Sequence, residues 1–271
     1  MTAAIIRAAE AEPELTEDGA TVRVLAATGP AGGPETGRLI RRLVDVPPGA
    51  QWRGQAGPAG ELWFIIAGHG RLDAGGHAAV TVGQGQGLRL PAGSRYRLRP
   101  DGGAAMQVDA VSLPASTLGS RAQLSAQGSE AVTMGRIRLP AQLPEPDADE
   151  PAGLLVNRLD DCAPEMTGDR RFRVLFGPGR GCAAATQFVG EIPPGRARDH
   201  SHPYDEVVLV LQGSGLLHLG HDVHDLGPGS CVHLPPGQRH CLENTGQATL
   251  VVLGVFHPGG SPAAKAGPAP A

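Results

Sequence analysis

Apolar residues in this chain fall into short runs closed by glycine or proline, as in "ELWFIIAGHG" at 61–70 and "EVVLVLQGSG" at 206–215. Runs of this length, rich in Val, Leu and Ile and bounded by turn residues, predict strands. No long amphipathic helical pattern interrupts them. Many short strands joined by tight turns predict an all-β chain built as small antiparallel barrels or jelly rolls.

The runs repeat. "VDVPPG" (44–49) matches "GEIPPG" (190–195), and "GQGLRLPAGSRY" (85–96) matches "GSCVHLPPGQRH" (229–240). The lead-in strands "TVRVL" (21–25) and "RFRVL" (171–175) agree as well. Such self-similarity predicts two tandem barrels. The expected division is an N-terminal extension over 1–19, a first barrel over 20–113, a linker and inter-domain segment over 114–165, a second barrel over 166–258 and a flexible tail over 259–271. The stretch "PAQLPEPDADEPAGLL" (140–155) has the proline and acid content of a linker.

Composition narrows the function classes. A length of 271 residues suffices for two cores. The formal net charge of −4 and the absence of a helix-turn-helix pattern or basic region argue against nucleic-acid binding. No apolar run reaches membrane-span length, and no signal-peptide pattern opens the chain, so a cytoplasmic protein is expected. Cys162, Cys182, Cys231 and Cys241 form no Cys-x-x-Cys pair and are expected as buried thiols. Aromatic residues make up only 3 %, which disfavours a cavity that stacks large flat substrates.

Candidate chemistry concentrates in "HSHPYDE" (200–206) and "LPPGQRHCLEN" (234–244). Residues two apart on a strand share a face, so His200 and His202 can aim into one barrel, and Glu206 keeps that parity unless "PYD" breaks it. The turn "PPGQR" can bring His240 alongside. Three imidazoles and a carboxylate suit a divalent transition metal, with Fe(II) or Mn(II) favoured and Ni, Cu or Zn compatible. The alternative is four unrelated polar residues whose histidines bond to backbone; the repeated frame disfavours it.

Gly195, His200, His202, Glu206 and Gly213, followed by Gly229, Pro235, Gly237, His240 and Asn244, resemble the two-part signature of the cupin superfamily. That signature reads His-x-His-x3-Glu-x6-Gly, then Gly-x5-Pro-x-Gly-x2-His-x3-Asn. One departure is the four-residue gap between Gly195 and His200, where the family has five. The resemblance implies double-stranded β-helix barrels, here a bicupin, with metal only in the second.

Other residues carry weaker signals. Tyr204 is a candidate acid/base, with packing at the barrel mouth as its alternative. His233 is a candidate proton shuttle if it points into the cavity. Gln212, Arg239 and Asn244 are candidates for orienting the ligands, with a turn role as the alternative for Asn244. Alternation turns Cys241 away from the metal. His218, His221 and His224 sit around a hairpin tip, where their side chains are expected to diverge. "GQGQG" (83–87) and "GPGRG" (177–181) open no helix and read as turn glycines.

In the first repeat Gln55 and Gly57 stand at the histidine positions counted back from Glu61; counted from Gly49 they are Gly54 and Ala56. Tyr96 stands at the position of His240. This barrel is expected to be metal-free. Arg89 takes the place of His233, and an inward Glu61–Arg89 ion pair is expected to fill the barrel, against the alternative of an outward Arg89.

Three functions remain open for a small-molecule substrate. The first is a metal-dependent, non-haem oxygenase, slightly favoured. The second is a redox-neutral isomerase, lyase or hydrolase using the metal as Lewis acid. The third is a non-catalytic binding cupin. Ureidoglycine aminohydrolases are bicupins of this size, but their ligands run Glu-x-His-x3-His with a later Gln, unlike His200-x-His202-x3-Glu206 with His240. Exposed sheet edges make a homodimer the expected assembly.

Overall fold

The structure, a computed structural model, describes residues 3–28, 39–76, 78–115 and 153–263. Most of the expected linker and residues 264–271 of the expected tail lie outside the described residues. No helix is long and apolar enough to cross a membrane among the described residues.

The chain begins with β1 (Ala4–Arg7), and the first repeat supplies β2 (Glu14–Leu15), β3 (Thr21–Ala27), β4 (Ile40–Val46), β5 (Trp52–Gln55) and β6 (Glu61–Ala67). It continues through β7 (His69–Ala74), β8 (Val80–Gly83), β9 (Gln86–Leu90), β10 (Arg95–Pro100) and β11 (Met106–Ser112). After β12 (Leu155–Arg158) and a 3-10 turn at Leu159–Asp161, the second repeat supplies β13 (Glu165–Thr167), β14 (Arg170–Phe176), β15 (Thr186–Ile192) and β16 (Gly195–Arg196). It closes with β17 (Asp205–Gln212), β18 (Gly215–Leu219), β19 (Asp222–Leu226), β20 (Ser230–Leu234), β21 (Cys241–Asn244) and β22 (Leu250–His257).

Each repeat folds as a jelly roll in which a seven-stranded sheet faces a four-stranded one. The first barrel pairs β12-β9-β6-β11-β4-β3-β2 with β5-β10-β7-β8, and the second pairs β1-β20-β17-β22-β15-β14-β13 with β16-β21-β18-β19. The all-β fold expected from the short apolar runs is the fold observed.

The barrels exchange a strand. β1 runs antiparallel to β20 of the second barrel, from Ala4 opposite His233 to Arg7 opposite Ser230. β12 runs antiparallel to β9 of the first, from Leu155 opposite Arg89 to Arg158 opposite Gln86. Each repeat therefore opens with a strand that covers the other's sheet edge, an edge that would otherwise present unpaired backbone groups.

The two large sheets pack against each other, because both their faces are apolar. On β17, Val208 and Val210 enter the second barrel's core while Val207 and Leu209 join Leu43, Leu62 and Val111 between the barrels. One ion pair lies in that apolar layer. Arg41 and Asp109 are both 0 % exposed, with Nε donating to Asp109 Oδ1 at 2.6 Å and Nη2 to Oδ2 at 3.1 Å. Arg41 also donates across the interface to the carbonyls of Val207 (2.9 Å) and Leu253 (3.0 Å).

Candidate metal centre

His200 and His202 lie in the segment between β16 and β17, and His240 follows the turn after β20. Reciprocal backbone bonds join His200 and His240, N to O at 2.9 and 2.8 Å, as a single bridge. The turn is built by Pro235, whose carbonyl accepts from Gln238 N at 3.0 Å, and by Gly237, whose φ of +78° suits glycine. Gly237 N donates to the His202 carbonyl at 2.8 Å, tying the turn to the first pair of histidines.

The nitrogens of His200, His202 and His240 that could bind an ion lie within 4.8 Å of one another, the one such group among the described residues. Glu206, the second residue of β17, adds a carboxyl oxygen, its Oε2 standing 3.8 Å from His202 Nε2 and 3.7 Å from His240 Nε2. Those gaps are too long for hydrogen bonds. Glu206 Oε2 is buried without a hydrogen-bond partner.

Burial alone pushes the Glu206 carboxyl up to about 8. Burial, and after it the neighbouring His200, holds the His240 imidazole down at about 3. His240 Nδ1 donates to the Gln238 carbonyl at 2.9 Å, leaving the Nε2 lone pair free to face the cluster. A buried carboxyl oxygen without a hydrogen bond, beside three converging imidazoles, is the donor set a divalent N/O-binding ion requires.

The cluster opens into a cavity of about 350 Å³. One wall is apolar, formed by Phe172, Phe188 and Phe256 with Val252 and Ile192. Phe188 and Phe256 lie 4.9 Å apart between ring centroids. Phe188 fits only because Gly254, opposite it on β22, has no side chain; a Cβ there would overlap the ring. Three of the chain's five phenylalanines meet here, so the low aromatic count misled about the cavity. Arg170, at the start of β14, also lines the cavity and donates from Nη2 to the Leu242 carbonyl. No sequence motif marked any of these residues.

The other sequence candidates divide. Tyr204 is buried against Phe256 and stacks on His202 at 5.9 Å, with its hydroxyl donating to the Ser261 carbonyl at 3.3 Å; this is the packing alternative. His233 does not face the cavity. It pairs with Val207, on the face of the sheet opposite Glu206 and Leu234, and its Nε2 meets Asp205 Oδ1 at 2.8 Å. Gln212 is exposed, six residues beyond Glu206 and so about 20 Å along the strand, too far to orient a ligand. Arg239 is exposed, its side chain on the outside of the turn. Asn244 serves its turn, donating to the carbonyls of Ile192 and Ala248 at 2.8 Å and accepting from Gly246 N at 2.9 Å. Cys241 faces away, its thiol against the Ala197 carbonyl. His218 pairs with Glu243 at 2.6 Å, while His221 and His224 are exposed and join no cluster.

The first barrel is filled differently from the expectation. Arg89 lies opposite Leu62, on the outer face of the sheet, whereas its neighbours Leu88 and Leu90 enter the core, so the Glu61–Arg89 pair does not form. Glu61 instead accepts from Trp63 Nε1 at 2.7 Å and Ser112 Oγ at 2.8 Å. Trp52, Trp63 and Tyr96 occupy the interior with ring centroids 4.5, 4.9 and 4.7 Å apart. Burial, then the Glu61 charge, holds the Tyr96 phenol above its ordinary range. Gln55 is exposed and donates to the Gly93 carbonyl at 2.8 Å.

Comparison with known proteins agrees with this architecture. A cupin domain family model matches residues 188–256, within the second barrel. Among solved structures, an oxalate decarboxylase variant from Bacillus subtilis superposes with a TM-score of 0.66 at 16 % identity, covering 94 % of this chain and 77 % of its own. The Lactobacillus farciminis oxalate decarboxylase formate complex gives 0.65 at 17 %, covering 94 % and 86 %. Protein Ylba from E. coli gives 0.67 at 11 %, covering 94 % and 90 %. At these identities the likeness is one of fold. No curated protein sequence matches the chain.

Proposed function

We propose that the chain, whose second barrel matches a cupin domain and whose two-barrel fold is that of bicupins, is a metal-dependent enzyme acting on a small organic molecule in that second barrel. The observation that carries this reading is the unpartnered, buried Glu206 Oε2 beside three converging histidines. His200, His202, Glu206 and His240 would hold one divalent ion, which when bound supplies a Lewis-acidic centre for an oxygen of the substrate.

The chain's own residues do the rest. The backbone carbonyl at Gln238 fixes the His240 tautomer, and the Tyr204 ring braces His202. The phenylalanine wall keeps water from one side of the cavity, so polar contacts there act in a low dielectric. Glu206 carries a proton at neutral pH without metal and gives it up on ligation.

Of the chemistries open from the sequence, redox-neutral cleavage of the lyase type is better supported than oxygenation. Two of the structural neighbours above are oxalate decarboxylases, and no residue of the cavity points to use of O₂. The test is metal analysis of anaerobically purified protein and of His240→Ala, followed by assay of the loaded protein with small carboxylic acids. About one equivalent of metal lost in the variant, with CO₂ released and no O₂ consumed, supports the reading. Stoichiometric O₂ uptake would move it to the oxygenases, and absence of bound metal would end it.

A further inference from the structure

Four arginines line the cavity beside the candidate metal centre, and three of them are accounted for. Arg171 is paired with Glu191, Arg196 with Asp199 at 3.5 Å, and Arg198 is exposed to water. Arg170 is half-buried, and among the described residues no carboxylate lies within ion-pair distance of it. Its hydrogen bonds, to the Leu242 carbonyl and with the Cys241 thiol, leave donors of the five-donor guanidinium fork unused, and the neighbouring charge of Asp169 forms no ion pair with it. A half-buried cation without a counter-ion is costly to keep unless something anionic meets it. The same cavity is lined by Phe172, two residues along β14, and by Phe188 and Phe256.

We propose that this cavity takes a small organic acid with one charged end and one apolar end: the carboxylate is met by Arg170, and the hydrocarbon part lies against the three phenylalanines. The proposal deepens the enzymatic reading above and rests on it for the reaction, though not for recognition of the acid. A guanidinium–carboxylate contact in such a setting is planar and charge-assisted, and the neutral amide of the same acid cannot reproduce it. An acid without a hydrocarbon part leaves the phenyl wall uncovered and forfeits its contribution.

The experiment is calorimetric titration at pH 7 of metal-free and Zn(II)-loaded protein with phenylacetate, phenylacetamide and acetate. Phenylacetate is expected to bind at least about tenfold more tightly than either comparison ligand in the metal-free protein. Arg170→Gln should erase the preference for acid over amide while leaving the amount of bound Zn(II) unchanged. Glutamine keeps a donor for Leu242, and the comparison of acid with amide in the wild type needs no variant. Equal binding of acid and amide, no binding of phenylacetate, or an undiminished preference in Arg170→Gln would overturn the proposal. A preference present in a protein that takes up no Zn(II) sinks the enzymatic reading alone. Zn(II) uptake without the preference sinks this proposal alone.

Discussion

Glu61 and Glu206 stand at the same place in the two barrels, each facing inward from the strand beside the large sheet's central strand, yet only Glu61 has hydrogen-bond partners for its carboxylate. The difference lies in the residues around them. Ser112 and Phe256 are equivalent by register, since each pairs with the corresponding residue of the neighbouring strand, Ile40 or Thr186. By the same register Arg42 stands where Phe188 stands in the second barrel. Arg42 donates to Ser112 at 2.6 Å, and Ser112 donates to Glu61. In the second barrel phenyl rings replace that relay, and Glu206 is left for another partner.

Metal should therefore follow Glu206 and not Glu61. Glu206→Gln is expected to lower bound metal by 10-fold or more, in the range of about 10- to 100-fold for disturbing a metal site. Glu61→Gln should leave metal content unchanged and cost about 1–3 kcal/mol of stability through the disturbed hydrogen bonds of Trp63 and Ser112. Metal analysis and urea unfolding of both variants check this. Loss of metal in Glu61→Gln would contradict it.

The affinity for metal should rise with pH. Burial raises the Glu206 carboxyl from 4.5 to about 8, so across that window the metal-free native state holds a proton that the unfolded chain releases. Native stability thus falls as pH climbs toward about 8 and levels off above it. His240, lowered from 6.5 to about 3, acts in the opposite direction: the native state stays neutral where the unfolded chain is charged, and stability falls as pH drops through that range. Metal ligation needs Glu206 ionised, so Zn(II) binding at pH 7 should release about one proton. Calorimetry in buffers of different ionisation enthalpy measures it. Proton-free binding at pH 7 would show that Glu206 is not a ligand.

The repeated strands and the four candidate ligands were legible because their signals are local: short apolar runs, turn prolines and glycines, and fixed spacings. His233 and Arg89 were misread for one shared reason. Each lies one residue off the inward parity of its strand, set by Glu206 opposite Leu234 and Glu61 opposite Leu90, and a slip of one residue reverses the face. The strand exchange left no mark in "AIIR" at 4–7, because what a strand pairs with is a tertiary fact. Arg41 read like any charged strand residue; its partner Asp109 is 68 positions away. Arg170 and Phe172 share β14, but Phe188 on β15 and Phe256 on β22 join them only in the folded barrel.

Gly254 should resist even the smallest enlargement. Phe188 lies over it, and a Cβ would overlap the ring, with Phe256 closing off one direction of retreat. Gly254→Ala is expected to cost about 1–3 kcal/mol as an overpacked core position. Adding Phe188→Leu should recover part of that loss, because the smaller side chain clears the new methyl group. Thermal or urea unfolding of the single and double variants provides the measurement. If the effects of the two changes simply add, the overlap is not the cause.

The ion pair of Arg41 and Asp109 ties the barrels together and should be costly to break from one side. Burial raises the Asp109 carboxyl, and the Arg41 charge and hydrogen bonds oppose that rise. Arg41→Ala removes those opposing interactions and also takes donors from the Val207 and Leu253 carbonyls across the interface. The expected loss is about 3–5 kcal/mol, because an uncompensated buried carboxyl remains. Changing Arg41→Met together with Asp109→Leu leaves no buried charge, so the double variant should lose markedly less than Arg41→Ala. Urea unfolding of both distinguishes this from a purely steric role: if the double variant is the less stable of the two, the pair contributes by shape and its charge is incidental.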